Sequence, residues 1–233
     1  MMKKKSDRAD LNGIMIVNKP AGMTSHDVVS IARKKLKMRR IGHAGTLDPL
    51  ATGVLVLLLG QGTKLFEQFV SFDKEYRATL ILGRRTSSAD IEGNQIEENP
   101  YDAVTREDVV RVFHSLLGAG EQLPPMVSAV RVKGQRLYEL ARKGLIVERK
   151  PREIRIDKIE LLRFDPPYVE FLLACSKGTY VRTFAEDVGK KLGCGACICQ
   201  IERTQVGPYH IQDAVALDEI GGDYVKDFFV GDG

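Results

Sequence analysis

Apolar residues fall along this chain in short runs and short stripes, each set off by turn-forming residues. Residues 13–17, Gly-Ile-Met-Ile-Val, read as a brief apolar strand, and Asn18-Lys19-Pro20-Ala21-Gly22 as the turn after it. Thr24 or Ser25 then caps a helix with Asp27 in its first turn. Val28, Ile31, Ala32 and Leu36 give that helix an apolar stripe, and Arg33, Lys34, Lys35 and Lys37 a basic flank. Residues 54–59 are uniformly apolar and of strand length, which predicts a buried strand. A helix is expected over 63–70 with Leu65, Phe66 and Phe69 inward. Alternation over 74–82 places Tyr76, Ala78 and Leu80 on one face of a strand. A polar loop occupies 83–95, and Thr105 with Asp108 forms a near capping box opening a helix whose inward face is Val109, Val112, Phe113 and Leu116.

Further on, 154–164 and 169–174 read as paired strands around the Asp165-Pro166-Pro167 turn. Val181, Phe184, Ala185, Val188 and Leu192 then mark the inward face of another helix. Arg182 lies one position off that stripe, near the helix start, where an arginine ordinarily faces solvent. A last strand is expected over 196–201. Short strands mixed with helices, without regular βαβ alternation, predict an α+β fold: a mixed, largely antiparallel central sheet flanked by helices. The 233 residues are expected to form a single domain.

One stretch stands out because it has no helical or alternating pattern. Residues 41–53, Ile-Gly-His-Ala-Gly-Thr-Leu-Asp-Pro-Leu-Ala-Thr-Gly, read as a polar, tightly turned loop carrying one carboxylate, Asp48. It leads straight into the apolar run at 54–59. A reactive group on a loop, with a rigid strand beneath it, is a common way to mount catalytic chemistry. Asp before Pro is also a common turn former, so the aspartate alone decides nothing.

Charge adds a second theme. Net charge is only +4, but residues 33–40 hold Arg33, Lys34, Lys35, Lys37, Arg39 and Arg40 with no acid. Between Arg131 and Arg155 there are nine Lys/Arg against three Glu. Two basic blocks suit a polyanion, and Arg39, Arg40, Arg131, Lys133, Arg142 and Lys143 are candidate contacts to an RNA backbone. Residues 124–144 read as strand, turn and short basic helix, forming an arm over the Asp48 loop. No apolar run approaches the ~18 residues of a membrane span, and Met1-Met2-Lys3-Lys4-Lys5 leads into polar residues, not an apolar signal segment. The four cysteines, of which Cys194 and Cys197 form one C-x-x-C, lack further ligands at zinc spacing. A cytoplasmic protein with reduced thiols, no metal and no membrane association is expected. Phosphate-binding and dinucleotide-binding glycine motifs are missing, which argues against ATP-driven or redox chemistry.

Taken together these stretches resemble the TruB family of tRNA pseudouridine synthases. The likeness rests on Gly13-Ile-Met-Ile-Val-Asn-Lys19-Pro20-x-Gly22-Met-Thr-Ser25, on Gly42-His43-x-Gly45-Thr46-Leu47-Asp48-Pro49-x-Ala51-Thr52-Gly53 with Gly60-x-x-Thr63-Lys64, and on Lys74-x-Tyr76-Arg77-Ala78. Ser176-Lys177-Gly178-Thr179-Tyr180-x-Arg182-Thr183 and Arg203-Thr204-x-x-Gly207-Pro208-Tyr209 complete it. The resemblance implies a pseudouridine synthase fold with a thumb insertion at about 121–152. It further implies isomerisation of the T-loop uridine of tRNA at position 55, without cofactor or obligatory protein partner. On this likeness Asp48 is the catalytic aspartate, Tyr76 packs on the target base, and Arg182 pairs with the aspartate. His43 helps hold the extruded nucleotide, Tyr180 and Lys19 line or brace the site, and Ile201 stands near the pocket where the family often has Leu. Such enzymes often carry a further C-terminal RNA-binding PUA domain, for which the acidic stretch from Asp213 to Gly233 is too short. Two alternatives remain: a guide-dependent synthase subunit of the Cbf5 type, and a tRNA-folding chaperone in which Asp48 is dispensable.

Overall fold

The computed structural model describes residues 11–126 and 147–226, together with the backbone of 131–132 and 135–136. The elements are β1 (Gly13–Lys19), α1 (Ser25–Lys35), β2 (Ile41–Ala44), β3 (Thr52–Leu59), α2 (Phe66–Ser71), β4 (Lys74–Leu82), β5 (Arg84–Thr86), β6 (Gln95–Glu98), α3 (Arg106–His114) and β7 (Gly118–Gln122). There follow β8 (Arg131–Val132), β9 (Gln135–Arg136), β10 (Arg152–Asp165), β11 (Tyr168–Cys175), α4 (Val181–Leu192), β12 (Ala196–Val206) and β13 (Tyr209–His210). The fold is α+β with a largely antiparallel sheet, as the sequence pattern predicts. Among the described residues no helix is long and apolar enough to cross a membrane.

The chain divides into two compact units, Met1–Phe72 with Arg203–Gly233, and Asp73–Glu202. In the first, β3 is central. It pairs antiparallel with β1 from Gly13↔Leu59 to Lys19↔Gly53, and with β2 from Ile41↔Leu59 to Ala44↔Val56. Every residue of Val54-Leu55-Val56-Leu57-Leu58-Leu59 is at most 1% exposed, so β3 is covered on both faces. Ile14, Ile16, Val54, Val56, Leu58, Phe69 and Val206 share one core cluster. Helix α1 begins at the Thr24 cap, whose hydroxyl and backbone exchange hydrogen bonds with Asp27 in a capping box. It buries Ser25, Val28, Val29 and Ala32; Val29, not the expected Ile31, completes the stripe.

In the second unit β4, β11, β10 and β7 lie in that order, all antiparallel, with the first part of β12 beside β4. Lys74, Tyr76, Ala78, Leu80 and Leu82 face inward from β4, in the expected alternation. Its core is a cluster of three rings: Phe113 of α3, Phe171 of β11 and Phe184 of α4, with centroids 5.3–6.0 Å apart. Each such ring pair adds about 0.5–1.5 kcal/mol beyond the area it buries. The Thr105–Asp108 capping box opens α3 as the sequence indicates.

Several local expectations are corrected. Residues 41–44 are a strand, not loop; the rungs to β3 impose extension on a tetrapeptide with no alternation of its own. Residues 60–65 form a 3-10 turn before α2, which leaves Phe66 44% exposed instead of inward. The last strand runs on to Val206, well past residue 201. The loop at 83–95 is bracketed by the β5–β6 pair. The β8–β9 pair is the described part of the basic arm; the rest of the arm, with Lys133, Arg142, Lys143 and the Arg131 side chain, lies outside the described residues.

Candidate active site

Asp48 stands half-buried on the turn between β2 and β3, and that turn is held on both sides of it. Before it, the buried Ser25 Oγ accepts from the Leu47 N–H at 2.8 Å and donates to the Leu47 carbonyl at 3.1 Å. After it, the Pro49 carbonyl accepts from the Gly22 N–H at 2.9 Å and from Lys19 Nζ at 3.3 Å. The Ala51 N–H closes the turn on the Asp48 carbonyl at 3.0 Å. Lys19 is fully buried and also donates to the Pro20 and Met23 carbonyls, each at 2.8 Å, so it braces the two turns against each other.

The ends of the turn are buckled by Arg203, which is 2% exposed. Its Nε donates to the Val54 carbonyl at 2.8 Å, and a terminal nitrogen donates to the Gly45 carbonyl at 3.1 Å. Gly53 explains why this contact is so close. At φ +99°, a Cβ there would lie 2.3 Å from the Arg203 carbonyl oxygen, so only glycine lets the two backbones meet. His43 is half-buried on β2, opposite Leu57. Arg39 and Arg40 are exposed just past the end of α1, and Arg40 Nε donates to Thr63 Oγ1.

The remaining expected residues belong to the second unit. Tyr76 is 9% exposed on β4, opposite Leu173. Tyr180 caps the start of α4 and is half-buried, and Ile201 is half-buried on β12. Arg182 is not solvent-facing, as its place off the apolar stripe had suggested, but 5% exposed. One guanidinium nitrogen donates to the Ser88 carbonyl at 2.9 Å and lies 3.7 Å from an Asp90 carboxylate oxygen. Asp90 is itself 5% exposed, and its other oxygen accepts from Ser88 Oγ at 2.6 Å and the Glu92 N–H at 3.1 Å. A buried ion pair of this kind contributes more to orientation than to net stability, because removing both charges from water is costly. Asp90 was missed by sequence reasoning: its partner is 92 residues away, and only the Ser87-Ser88-Ala89-Asp90 turn chemistry hinted at order there.

A cleft of about 440 Å³ lined by Arg85, Glu97, Asn99, Glu186, Asp187 and Lys190 contains none of the expected site residues. Burial pushes the Glu186 and Asp187 carboxyls above their ordinary values, against the pull of Arg85 and of Lys190 respectively. Burial likewise raises the Cys175 thiol to about 12 and the Cys197 thiol to about 11, which leaves both as inert core groups. Among the described residues no three His, Cys, Asp or Glu side chains cluster as metal ligands would.

The half-buried Asp48 carboxylate on its held turn thus belongs to one unit, and the buried, pre-oriented Arg182 to the other. The backbone matches the solved structure of a Cbf5-Nop10-Gar1 complex with a TM-score of 0.72 and 28% sequence identity, over 92% of this chain and 54% of that one. The chain thus spans little more than half of that neighbour's length. The architecture is that of the pseudouridine synthases. Within them, residues 33–181 match the model of the TruB family pseudouridylate synthase N-terminal domain, and residues 182–227 that of the tRNA pseudouridylate synthase B C-terminal domain. The chain belongs to the TruB family. It is 46% identical over 213 residues to the tRNA pseudouridine synthase B of Opitutus terrae, covering 91% of this chain and 88% of the relative. Its identity to the protein of the same name from Syntrophotalea carbinolica is 47% over 210 residues, covering 90% and 69%.

Proposed function

We propose that this protein is a tRNA pseudouridine synthase that isomerises the T-loop uridine at position 55, with Asp48 acting at C1′ of the target nucleotide. The observation that carries the reading is the fixed Asp48 turn, pinned through Leu47, Pro49, Gly45 and Val54 by Ser25, Lys19, Gly22 and Arg203. Family membership and the relatives' names support the substrate class.

The reaction breaks the N1–C1′ bond, turns the uracil and joins C5 to C1′. C5 loses a proton and N1 gains one, so atoms balance and nothing is oxidised. An ionised carboxylate at C1′ serves as nucleophile, as counter-charge to an oxocarbenium-like carbon, or as base toward the sugar; all three require that the turn keep it at one position. The role proposed for Arg182 is electrostatic, a cation set to pair with the Asp48 carboxylate. Asp90 and Ser88 hold its guanidinium ready. Extruding the base costs a few kcal/mol. Stacking on Tyr76 returns about 1–3 kcal/mol of that. The exposed Lys34, Lys37, Arg39 and Arg40 suit contacts to the phosphates of the T arm, which position RNA without reading its sequence.

The test is tritium release from tRNA carrying 5-[³H]uridine, by the purified protein alone, beside Asp48→Ala. Release by the wild type and none by the variant is expected. Release by both would remove Asp48 from the chemistry. The likeness to the Cbf5 complex favours one other reading, a synthase that needs a guide and partner proteins. That reading, or a tRNA-folding role, would be favoured by tight tRNA binding with no release from either protein.

A further inference from the structure

Gln122 is the last residue of β7 and is 3% exposed, although its side chain is polar and β7 is otherwise open to solvent. Its amide is paired at both ends with one residue. Oε1 accepts from the Tyr180 N–H at 2.9 Å, and Nε2 donates to the Tyr180 carbonyl at 3.4 Å. The orientation of the amide is settled by its partners, because a backbone N–H only donates and a carbonyl only accepts. The side chain therefore takes the part of a strand backbone, supplying one rung beside the residue that opens α4. The Tyr180 carbonyl also accepts the first helical bond, from the Phe184 N–H at 3.0 Å, and Tyr180 has no side-chain cap of its own. Arg182, two residues on, is already committed to Ser88 and Asp90.

The other side of Gln122 is equally constrained. It faces Arg152 across the β7–β10 ladder, so residues 123–151 leave and re-enter the sheet at neighbouring positions. Arg149 ties the same two ends together by donating to the Pro124 carbonyl at 2.8 Å. We infer that Gln122 is a positioning residue that sets Tyr180 and the first turn of α4 from the foot of the 123–151 segment. This rests on the proposed function and on the expectation, from the family resemblance, that Tyr180 lines or braces its site.

The near-isosteric Gln122→Glu tests it. An ionised carboxylate keeps the acceptor for the Tyr180 N–H but sets a second anionic oxygen against the Tyr180 carbonyl, whereas a protonated carboxyl restores the donor. At saturating enzyme, single-turnover isomerisation by Gln122→Glu should be about tenfold below wild type near pH 8. It should recover as pH falls through the introduced carboxyl's titration, with tRNA affinity unchanged throughout. Gln122→Met should show a similar loss with no recovery. A defect independent of pH in Gln122→Glu, or one that merely tracks thermal unfolding, overturns the inference. Amide hydrogen exchange supplies a readout apart from catalysis: the Tyr180 N–H should exchange about tenfold faster in Gln122→Met than in wild type. Unchanged exchange overturns the inference whatever the activity. Wild-type protein with no activity beside accelerated exchange in the variant would sink the proposed reaction instead.

Discussion

Replacing Arg203 by methionine removes the buckle from the Asp48 turn while keeping much of the buried volume. The guanidinium is 2% exposed and donates to the Gly45 and Val54 carbonyls, one on each side of the turn. Hydrogen bonds from a charged donor contribute about 1.5–3 kcal/mol each, and a buried acceptor left unpaired costs about 1–3 kcal/mol. Two such losses total about 3–6 kcal/mol, less whatever is regained by no longer burying a charge. A net destabilisation of about 2–4 kcal/mol is therefore expected, a large share of the ~5–15 kcal/mol typical of a folded domain. The catalytic consequence is separable from this. A turn no longer fixed at both ends lets the carboxylate wander, and each 1.4 kcal/mol of lost alignment is about tenfold in rate. Urea unfolding gives the first quantity, and single-turnover rates measured well below the unfolding midpoint give the second. We expect kcat to fall at least tenfold with tRNA affinity intact. Arg203→Lys should fall between, since one ammonium cannot match the two-armed reach. A variant that is destabilised but turns over normally while folded would refute the buckle as a device for catalysis.

Two further outcomes follow from buried groups. Burial raises the Glu186 carboxyl above its ordinary value of 4.5, so the folded state holds that proton more tightly than the unfolded chain does. Its contribution to stability is present below that ordinary value and is lost as pH rises through the folded one. Glu186→Gln should thus be more stable than wild type at neutral pH, the gap closing as pH falls toward 4.5 in urea melts; a gap constant with pH contradicts this. The Cys175 and Cys197 thiols, raised by burial to about 12 and about 11, should resist iodoacetamide near pH 8 until guanidinium is added. Fast modification of either in the native protein, read by peptide mass, would show the core to be open there.

Much of this protein was legible before any coordinates. The apolar run at 54–59, the alternation on β4, the cap at Thr24 or Ser25 and the Thr105–Asp108 capping box are local signals, and each became the element it predicts. They are legible because neighbours in sequence settle them: burial period, strand length, an N-cap hydroxyl three residues from its carboxylate. The Asp48 turn was equally plain as a polar loop set on a core strand.

What sequence pattern could not supply are contacts between distant segments. Ser25 grips Leu47 across 22 positions, Arg203 grips Val54 across 149, and Asp90 meets Arg182 across 92. The stripe on α4 suggested that Arg182 faces solvent, whereas the approach of the Ser88–Asp90 loop gives the buried guanidinium a carbonyl and a carboxylate to meet. Residues 41–44 became a strand because β3 offered unpaired backbone groups, not because their side chains alternate. The residue types and their local periods determined which elements form and which carboxylate is held at a turn. The tertiary structure alone decided which buried cations and hydroxyls do the holding, because a desolvated polar group takes whatever partner the packed backbone presents.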